Sequence, residues 1–304
     1  MQGEQTLKIL VTGGTVFVSK YVAEYFAKNG NDVYVLNRNT KPQLPNVRLI
    51  ECNRKEISGQ LKGLHFDTVI DVTAYTAEDI NTLLDSLESF KNYVLISSSA
   101  VYPETLETPF KESDNCGRNK FWGDYGTNKI TAENALLKRV PNAYILRPPY
   151  LYGEYNNIYR EAFVFDCAER NMPFYLPKDG SMSLQFFHVE DLCRFIETLL
   201  EFQPTQKIYN VGNEPISVKE WVKICYAAVG KIPTFIKISG EIEQRNYFPF
   251  YDYGYVLDTV AQNSIAPDLI PLAVGFERAY EWYKDNKSAV KPKNYFEFIE
   301  RNLK

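Results

Sequence analysis

The sequence predicts an α/β fold: a doubly wound parallel sheet in the first half of the chain, followed by a smaller C-terminal lobe. Three observations predict it. Short apolar runs recur through residues 7–146 and alternate with segments of helical period, the order that builds a parallel sheet with helices on both faces. The first run, Leu7–Val11, leads through Gly13-Gly14 into a helical segment, Tyr21–Asn29. Beyond Arg147-Pro148-Pro149 the alternation fades and Tyr and Phe become frequent. The division falls at residues 1–150 and 151–304, with room for some segments of the second part to return to the sheet.

The elements follow in order. Leu7, Ile9, Leu10 and Val11 form a buried strand, and Gly13-Gly14 a tight turn. Tyr21, Val22, Tyr25 and Phe26 share one face of the first helix, which Gly30 closes. A strand, glycine turn and helix is how dinucleotide-binding folds begin: the glycines let backbone approach a pyrophosphate, and the helix N-terminus offers N–H groups and a positive dipole end. Further strands are expected at Asp32–Leu36, Val47–Ile50, Thr68–Val72, Tyr93–Ile96 and Ala143–Leu146, and helices at Ile80–Leu87 and Tyr125–Lys138. A polar loop runs from Pro103 to about Lys120. In the second part, helices are expected at Ala162–Asn171, Val189–Phe202, Val218–Ala228 and within Pro292–Lys304, and strands at Met182–His188 and Lys207–Val211. Ligands on such sheets bind at the carboxyl ends of the strands. The turn after Val11, the Ser97–Ser99 run and the segment after Leu146 all lie at such ends.

Composition narrows the function. The 304 residues are 45% hydrophobic and 14% aromatic, enough for a sizeable core. A net charge of −4 gives no global attraction to nucleic acid or anionic lipid. Met1–Thr6 is polar, and no stretch approaches the roughly 18 apolar residues of a membrane span. Cys52, Cys116, Cys167, Cys193 and Cys225 are scattered without CxxC spacing and read as reduced thiols of a cytoplasmic protein. His65 and His188 are far apart, so no His-based metal site is expected.

Tyr125 and Lys129 are spaced i, i+4 and share a helix face. An ammonium beside a phenol favours the phenolate and makes it a usable acid/base near neutrality. Tyr283 and Lys287 have the same spacing but no serine-rich strand end before them, and read as a solvated helix face. Tyr125 opens the helix after a strand that ends in Ser97–Ser99, where a hydroxyl can face the phenol across a substrate oxygen.

The chain resembles the extended short-chain dehydrogenase/reductase family of NAD-dependent epimerase/dehydratase type. The resemblance is carried by Thr12-Gly13-Gly14-Thr15-Val16-Phe17-Val18, Ser97-Ser98-Ser99-Ala100-Val101-Tyr102, Tyr125-Gly126-Thr127-Asn128-Lys129, Leu146–Gly153, Phe187-His188-Val189-Glu190-Asp191 and Tyr209-Asn210-Val211-Gly212. It implies a Rossmann-type domain in residues 1–150 and a substrate-binding lobe after it. It implies Tyr125 as proton donor or acceptor and Lys129 on the nicotinamide ribose. Ser98 would bond the reacting oxygen, with Ser99 as the alternative. Cofactor contacts are implied for Gly13, Gly14, Thr15, Val16, Phe17, Val18, Asn37, Arg38, Asn53, Val72, Thr73, Ala74 and Pro149, besides Tyr125 and Lys129. His188 is read as a structural residue. The implied activity is an NAD(P)-dependent reductase or epimerase acting on a sugar-like hydroxyl or carbonyl, with a nucleotide-sugar enzyme proper as the alternative. Dimerisation through Ile80–Leu87 and Tyr125–Lys138 is also implied.

Several positions depart from the family pattern. Val16 and Ser19 replace the second and third glycines of the phosphate-binding turn. Asn37-Arg38-Asn39 replaces the acidic end of the second strand; an arginine without a carboxylate suits a 2′-phosphate, which favours NADP over NAD. Asn53 replaces the adenine-contacting Asp. Tyr150, Leu184 and Gln185 stand where the family grips a nucleotide-sugar diphosphate, which favours a smaller or less anionic substrate unless Arg160, Arg170, Lys178 or Arg245 substitutes. Phe248-Pro249-Phe250 also resembles the chloroplast stem-loop RNA-binding branch of the superfamily, but dispersed basic residues argue against nucleic acid as the partner.

Overall fold

The computed structural model describes residues 6–304; residues 1–5, which hold most of the polar N-terminal stretch, lie outside the described residues. The first half builds β1 (Lys8–Thr12), α1 (Phe17–Lys28), β2 (Asp32–Asn37), β3 (Arg48–Glu51), β4 (His65–Asp71), α2 (Ala77–Ser86), β5 (Ser89–Ile96), α3 (Asp124–Arg139) and β6 (Tyr144–Arg147). The second half adds β7 (Tyr150–Tyr152), α4 (Glu161–Glu169), β8 (Phe174–Pro177), β9 (Ser183–Leu184), β10 (Phe186–His188), α5 (Val189–Phe202), β11 (Ile208–Asn210), β12 (Ile216–Ser217), α6 (Val218–Ala228), β13 (Phe235–Ile238), α7 (Val260–Ile265), α8 (Leu272–Asp285) and α9 (Tyr295–Asn302).

Seven strands form one parallel sheet in the order β3-β2-β1-β4-β5-β6-β11. Alternate residues of its strands feed two cores. Ile9 and Val11 pack with Val22 and Phe26 of α1 and Leu192 and Ile196 of α5, whereas Leu10 packs with Ile80 and Leu83 of α2 and Ala132 and Leu136 of α3. The seventh strand and α5 thus come from beyond residue 150. Thr76 and Asp79 close a capping box on α2, Ser217 and Glu220 another on α6, and the His188 ring caps α5.

Several elements differ from their expected bounds. Helix α1 begins at Phe17, four residues before the first residue of its apolar stripe, because the turn of Gly13 (φ 97°) and Gly14 (φ 95°) is tight. A Cβ on Gly14 would lie 2.5 Å from Val35 Cγ1, so a side chain there would push β1 from β2. The strand expected over Met182–His188 is split at Gln185: β9 pairs with β12 and β10 with β7. Tyr283 is not on a solvated face. It is buried and donates to Asp166 Oδ1 at 2.9 Å, and Lys287 lies past the end of α8. The remaining lobe packs α4, α6 and α8 on one another around a third, aromatic core. No described helix is long and apolar enough to cross a membrane.

Candidate active site

A cavity of about 510 Å³ opens at the carboxyl ends of the sheet strands and runs under the second lobe. Val16, Phe17, Val18, Val72, Thr73 and Pro149 line one end of it, together with Ser98, Tyr125 and Lys129. Gly13, Gly14 and Thr15 form the turn behind that wall, and Ala74 is buried next to it. Asn37, Arg38 and Asn53 are not part of the cavity lining.

The polar trio is set by local packing. Ser98 caps a single 3₁₀ turn, Ser99–Val101, its hydroxyl accepting from Ala100 N–H at 3.1 Å. Helix α3 presses directly on this turn, because a Cβ on Gly126 would collide with the Ala100 carbonyl. That approach carries Tyr125 to Ser98. The ring keeps 40% of its surface exposed to the cavity, yet desolvation by the walls holds the phenol above its ordinary pKa; the Ser98 hydroxyl, bonded to it, pulls the value back, and Tyr75 raises it. Ser99 is occupied elsewhere, sharing a 2.8 Å hydrogen bond with the Tyr255 hydroxyl.

Lys129 is not seated against the phenol. Its ammonium donates to the carbonyls of Ala74 at 2.7 Å and Ile96 at 2.9 Å and lies 4.9 Å from the centre of the Tyr75 ring. Burial lowers its pKa to about 8, with Asp71 the foremost charge acting to raise it. The expected depression of the Tyr125 pKa by Lys129 is therefore absent among the interactions that set this phenol, because the ammonium is tied to backbone.

The far end of the groove is open. Asn37 Nδ2 closes onto the Gly13 carbonyl at 2.7 Å, and Arg38 is exposed. A carboxylate does stand here: Glu51, paired with Asn37 in the β2–β3 register, accepts from Asn39 Nδ2 at 2.8 Å. The sequence reading missed it because it looked for the acid at the end of β2. Asn53 is exposed and turns onto Lys55 N–H at 3.2 Å. Its neighbour Arg54, which the sequence reading did not single out, is the residue that turns inward, onto Asp71.

The other end of the cavity holds Arg160, Arg245 and Lys293 among Tyr150, Phe250 and Tyr251, and no described Asp or Glu lines it. Arg160 is 9% exposed; it donates to the Leu151 carbonyl at 2.7 Å and its Nε has no partner. Glu161 beside it feels that charge but accepts from Asn156 instead. Arg245 donates to the Pro249 carbonyl and lies 4.7 Å from the Tyr251 ring centre. Burial and the nearby Arg245 charge lower the Lys293 pKa. Of the other candidates, Lys178 is paired with Asp252 and Arg170 lies over Phe296, both outside the cavity. Leu184 is buried, and Gln185 is spent on the backbone of Asn213 and Leu257. His188 is fully buried, capping Glu190 N–H at 3.1 Å, with its pKa lowered to about 3 by burial. Among the described residues no group of three or more His, Cys, Asp or Glu is placed to hold a metal ion.

The NAD dependent epimerase/dehydratase family model matches residues 9–212. The chain is 26% identical over 272 residues to the chloroplast stem-loop binding protein of 41 kDa b of Arabidopsis thaliana, covering 81% of this chain and 70% of the plant protein. It is 25% identical over 329 residues to a dTDP-4-dehydro-6-deoxy-D-allose reductase of a Streptomyces species, covering 92% and 97%. Solved structures share the fold. A Thermotoga maritima UDP-glucose 4-epimerase with UDP-glucose superposes with a TM-score of 0.73 at 17% identity, over 92% of this chain and 100% of that one. The Bordetella bronchiseptica enzyme WbmG with NAD superposes with a TM-score of 0.75 at 14% identity, over 95% and 97%.

Proposed function

The chain belongs to the NAD dependent epimerase/dehydratase family, and on that premise we propose that it is a nicotinamide-dependent reductase or epimerase acting on a hydroxyl or carbonyl of an anionic, nucleotide-sugar-class substrate. One observation carries the reading: Ser98, Tyr125 and Lys129 line the same cavity as the cationic Arg160, Arg245 and Lys293. The residues present fit the cofactor. Gly13 and Gly14 take the left-handed backbone that the tight turn needs, and the first residues of α1, Phe17–Ser19, line the cavity, where the helix N-terminus would face a phosphate. The nicotinamide, when bound, exchanges hydride with a substrate carbon. Tyr125 passes a proton to or from the oxygen on that carbon, and Ser98 holds the same oxygen by a hydrogen bond. Lys129, fixed on two carbonyls, is placed to hold ribose hydroxyls.

The cationic end would take phosphate oxygens, since Arg is shaped for them and burying them without donors is costly. This convergence replaces the expectation of a less anionic substrate. The cofactor is read as NAD or NADP, with Arg38 and Glu51 pulling in opposite directions. A cytoplasmic setting suits the cysteines, none of which is in a disulfide. Dimerisation through α2 and α3 remains a proposal for size measurement, as their outward residues Glu78, Asp85, Asn128, Thr131 and Lys138 are polar or charged.

Tyr125→Phe tests the chemistry. On a substrate found by screening metabolites for a change in reduced nicotinamide, turnover should fall by about 10²–10⁴ while cofactor affinity holds. Equal rates would remove Tyr125 from the mechanism. The likeness to the plant stem-loop binding protein supports a second reading, RNA binding without turnover. Retardation of RNA at moderate salt, with no response to nicotinamide cofactors, would favour it.

A further inference from the structure

Asp71 ends β4 with no exposed surface, and its carboxylate is saturated. Oδ1 accepts from Thr12 Oγ1 at 2.7 Å, Arg54 Nη1 at 2.8 Å and Ala74 N–H at 3.1 Å. Oδ2 accepts from the Tyr93 hydroxyl at 2.6 Å and Arg54 Nη2 at 3.0 Å. Arg54 spends its remaining Nη contacts on Thr73 Oγ1 and the Asp79 carbonyl, each at 2.9 Å. Neither Arg54 nor Asp71 lines the cavity, yet each holds a residue beside it. Arg54 pins the Thr73 side chain. Asp71 pins the N–H of Ala74, whose carbonyl anchors Lys129 at 2.7 Å.

We propose that the Arg54–Asp71 pair is a positioning device for Lys129, fixing Ala74, whose carbonyl anchors the ammonium, and presenting two opposed charges to that ammonium. The proposal rests on the reading of Lys129 as a cofactor-facing residue. A bidentate pair of this kind is often worth little to stability against an apolar pair of similar size, so its presence calls for another use.

The charges around Lys129 can be enumerated. Glu133, one turn on along α3, is bonded to Arg147 and also acts to keep the Lys129 proton on. Asp71 faces Lys129 from β4 and Asp79 from α2, and both act to keep its proton on. Arg54, from the loop after β3, acts to remove it, as does burial. Tyr75 lays its ring over the ammonium, and Tyr125 precedes it by one turn on α3. Arg54 and Asp71 act in opposite senses, Asp71 the more strongly, so removing either one unbalances the site in a predictable direction.

Asp71→Asn keeps the guanidinium and loses the carboxylate, so Lys129 should give up its proton at lower pH. Arg54→Met does the reverse and should move the midpoint up. About one pH unit each way is expected, and the double variant should fall between the two single variants. The readout is the pH at which Lys129 becomes half-reactive toward acetic anhydride, followed by mass spectrometry of its peptide. Both single variants lose stability, since each strands a buried charge, so a purely structural pair would lower both melting temperatures and move neither midpoint. Shifts of the same sign, or none in variants that melt cooperatively, overturn the proposal. Should Asp71→Asn fail to fold, Tyr93→Phe strips one donor from the carboxylate and should move the midpoint up; no shift there counts against the proposal equally. Cofactor affinity of Lys129→Met separates the two readings. If that variant binds NAD(H) as wild type does while the opposite shifts hold, the positioning stands and the functional role of Lys129 falls.

Discussion

Arg54 and Arg147 turn inward onto carboxylates, Arg147 buried and Arg54 partly so; Arg160, Arg245 and Lys293 meet none in their cavity. The first pair lies at the sheet. Arg147 is 3% exposed, gives Glu133 two bonds at 3.1 and 2.6 Å, and gives the Tyr102 hydroxyl a third at 2.8 Å. Tyr102 passes the chain on to Asn210 at 2.8 Å, so β6, α3 and β11 are tied through one guanidinium. Arg160 is almost as buried, and its Nε, like that of Arg54, has no hydrogen bond; but Arg54 Nε faces the Asp79 carboxylate at 3.6 Å, whereas Arg160 makes no salt bridge among the described residues and donates to the Leu151 carbonyl. A buried cation that has its partner holds the protein together. A buried cation that lacks one carries a desolvation cost that an anionic ligand would offset. The partner inventory, not burial, separates structural from ligand-facing arginines here.

The sharpest way to break the comparison is to remove one member of the satisfied pair. Arg147→Met leaves the Glu133 carboxylate buried and uncompensated, which should cost about 3–5 kcal/mol in chemical denaturation. Adding Glu133→Leu should recover part of the loss, the Ser97 and Tyr102 hydroxyls having lost their partners as well. If Arg147→Met unfolds at the same denaturant concentration as wild type, the pair is not structural.

The opposite result is expected across the cavity. Arg160→Met and Arg245→Met should each weaken binding of UDP or dTDP about 10–100-fold by calorimetry, the worth of a hydrogen bond to a charged group. The melting temperature of Arg245→Met should move little, since it strands no carboxylate; Arg160→Met also takes away the charge that the buried Glu161 feels and should cost more. A large loss of stability with unchanged nucleotide affinity would place these residues with Arg147 instead.

Lys129 lies between the two classes: buried, bonded to carbonyls, and next to two arginine-locked carboxylates. Its lowered pKa means that the folded protein binds fewer protons here than the unfolded chain between about 8 and the ordinary lysine value of 10.5. The burden of burying the charged form is therefore present in full below pH 8 and is relieved as pH rises towards 10.5. The stability of wild type relative to Lys129→Met should climb across that window, read as the difference of melting temperatures in matched buffers. A flat difference would mean that the ammonium is not desolvated as its contacts indicate.

These contrasts also mark what the sequence could and could not disclose. The glycine turn, the Ser97–Ser99 strand end and the Tyr125–Lys129 spacing are local patterns, and the cavity gathers them. Arg54 was illegible, because a charge beside Asn53 reads as surface until Asp71, seventeen residues on, is placed behind it. Lys293 was equally hidden: it stands in a basic stretch near the C-terminus and reaches the cavity only through the packing of the second lobe. The phenol of Tyr283 had the spacing of a catalytic pair, and only burial against Asp166 shows that it is core. Spacing records which residues share a face. Partners across the fold decide what that face does.

The smallest effect concerns the exposed end of the groove, where the two charges are neither buried nor paired with each other. Arg38 would attract a 2′-phosphate, and Glu51, held by Asn39, would repel it and suit free ribose hydroxyls instead. Both are solvated, so each is worth no more than about 1 kcal/mol, a few-fold in affinity, and both fade with salt. Arg38→Ala should therefore lower NADP(H) affinity a few-fold and leave NAD(H) unchanged. Glu51→Gln should raise NADP(H) affinity by a similar factor, and added salt should shrink both effects. Titration of both cofactors against both variants reads the result. A change of a hundredfold in either ratio would show that one of these side chains is drawn into a closed, desolvated site when cofactor binds, which would move this end of the groove into the same class as the Arg160 cavity.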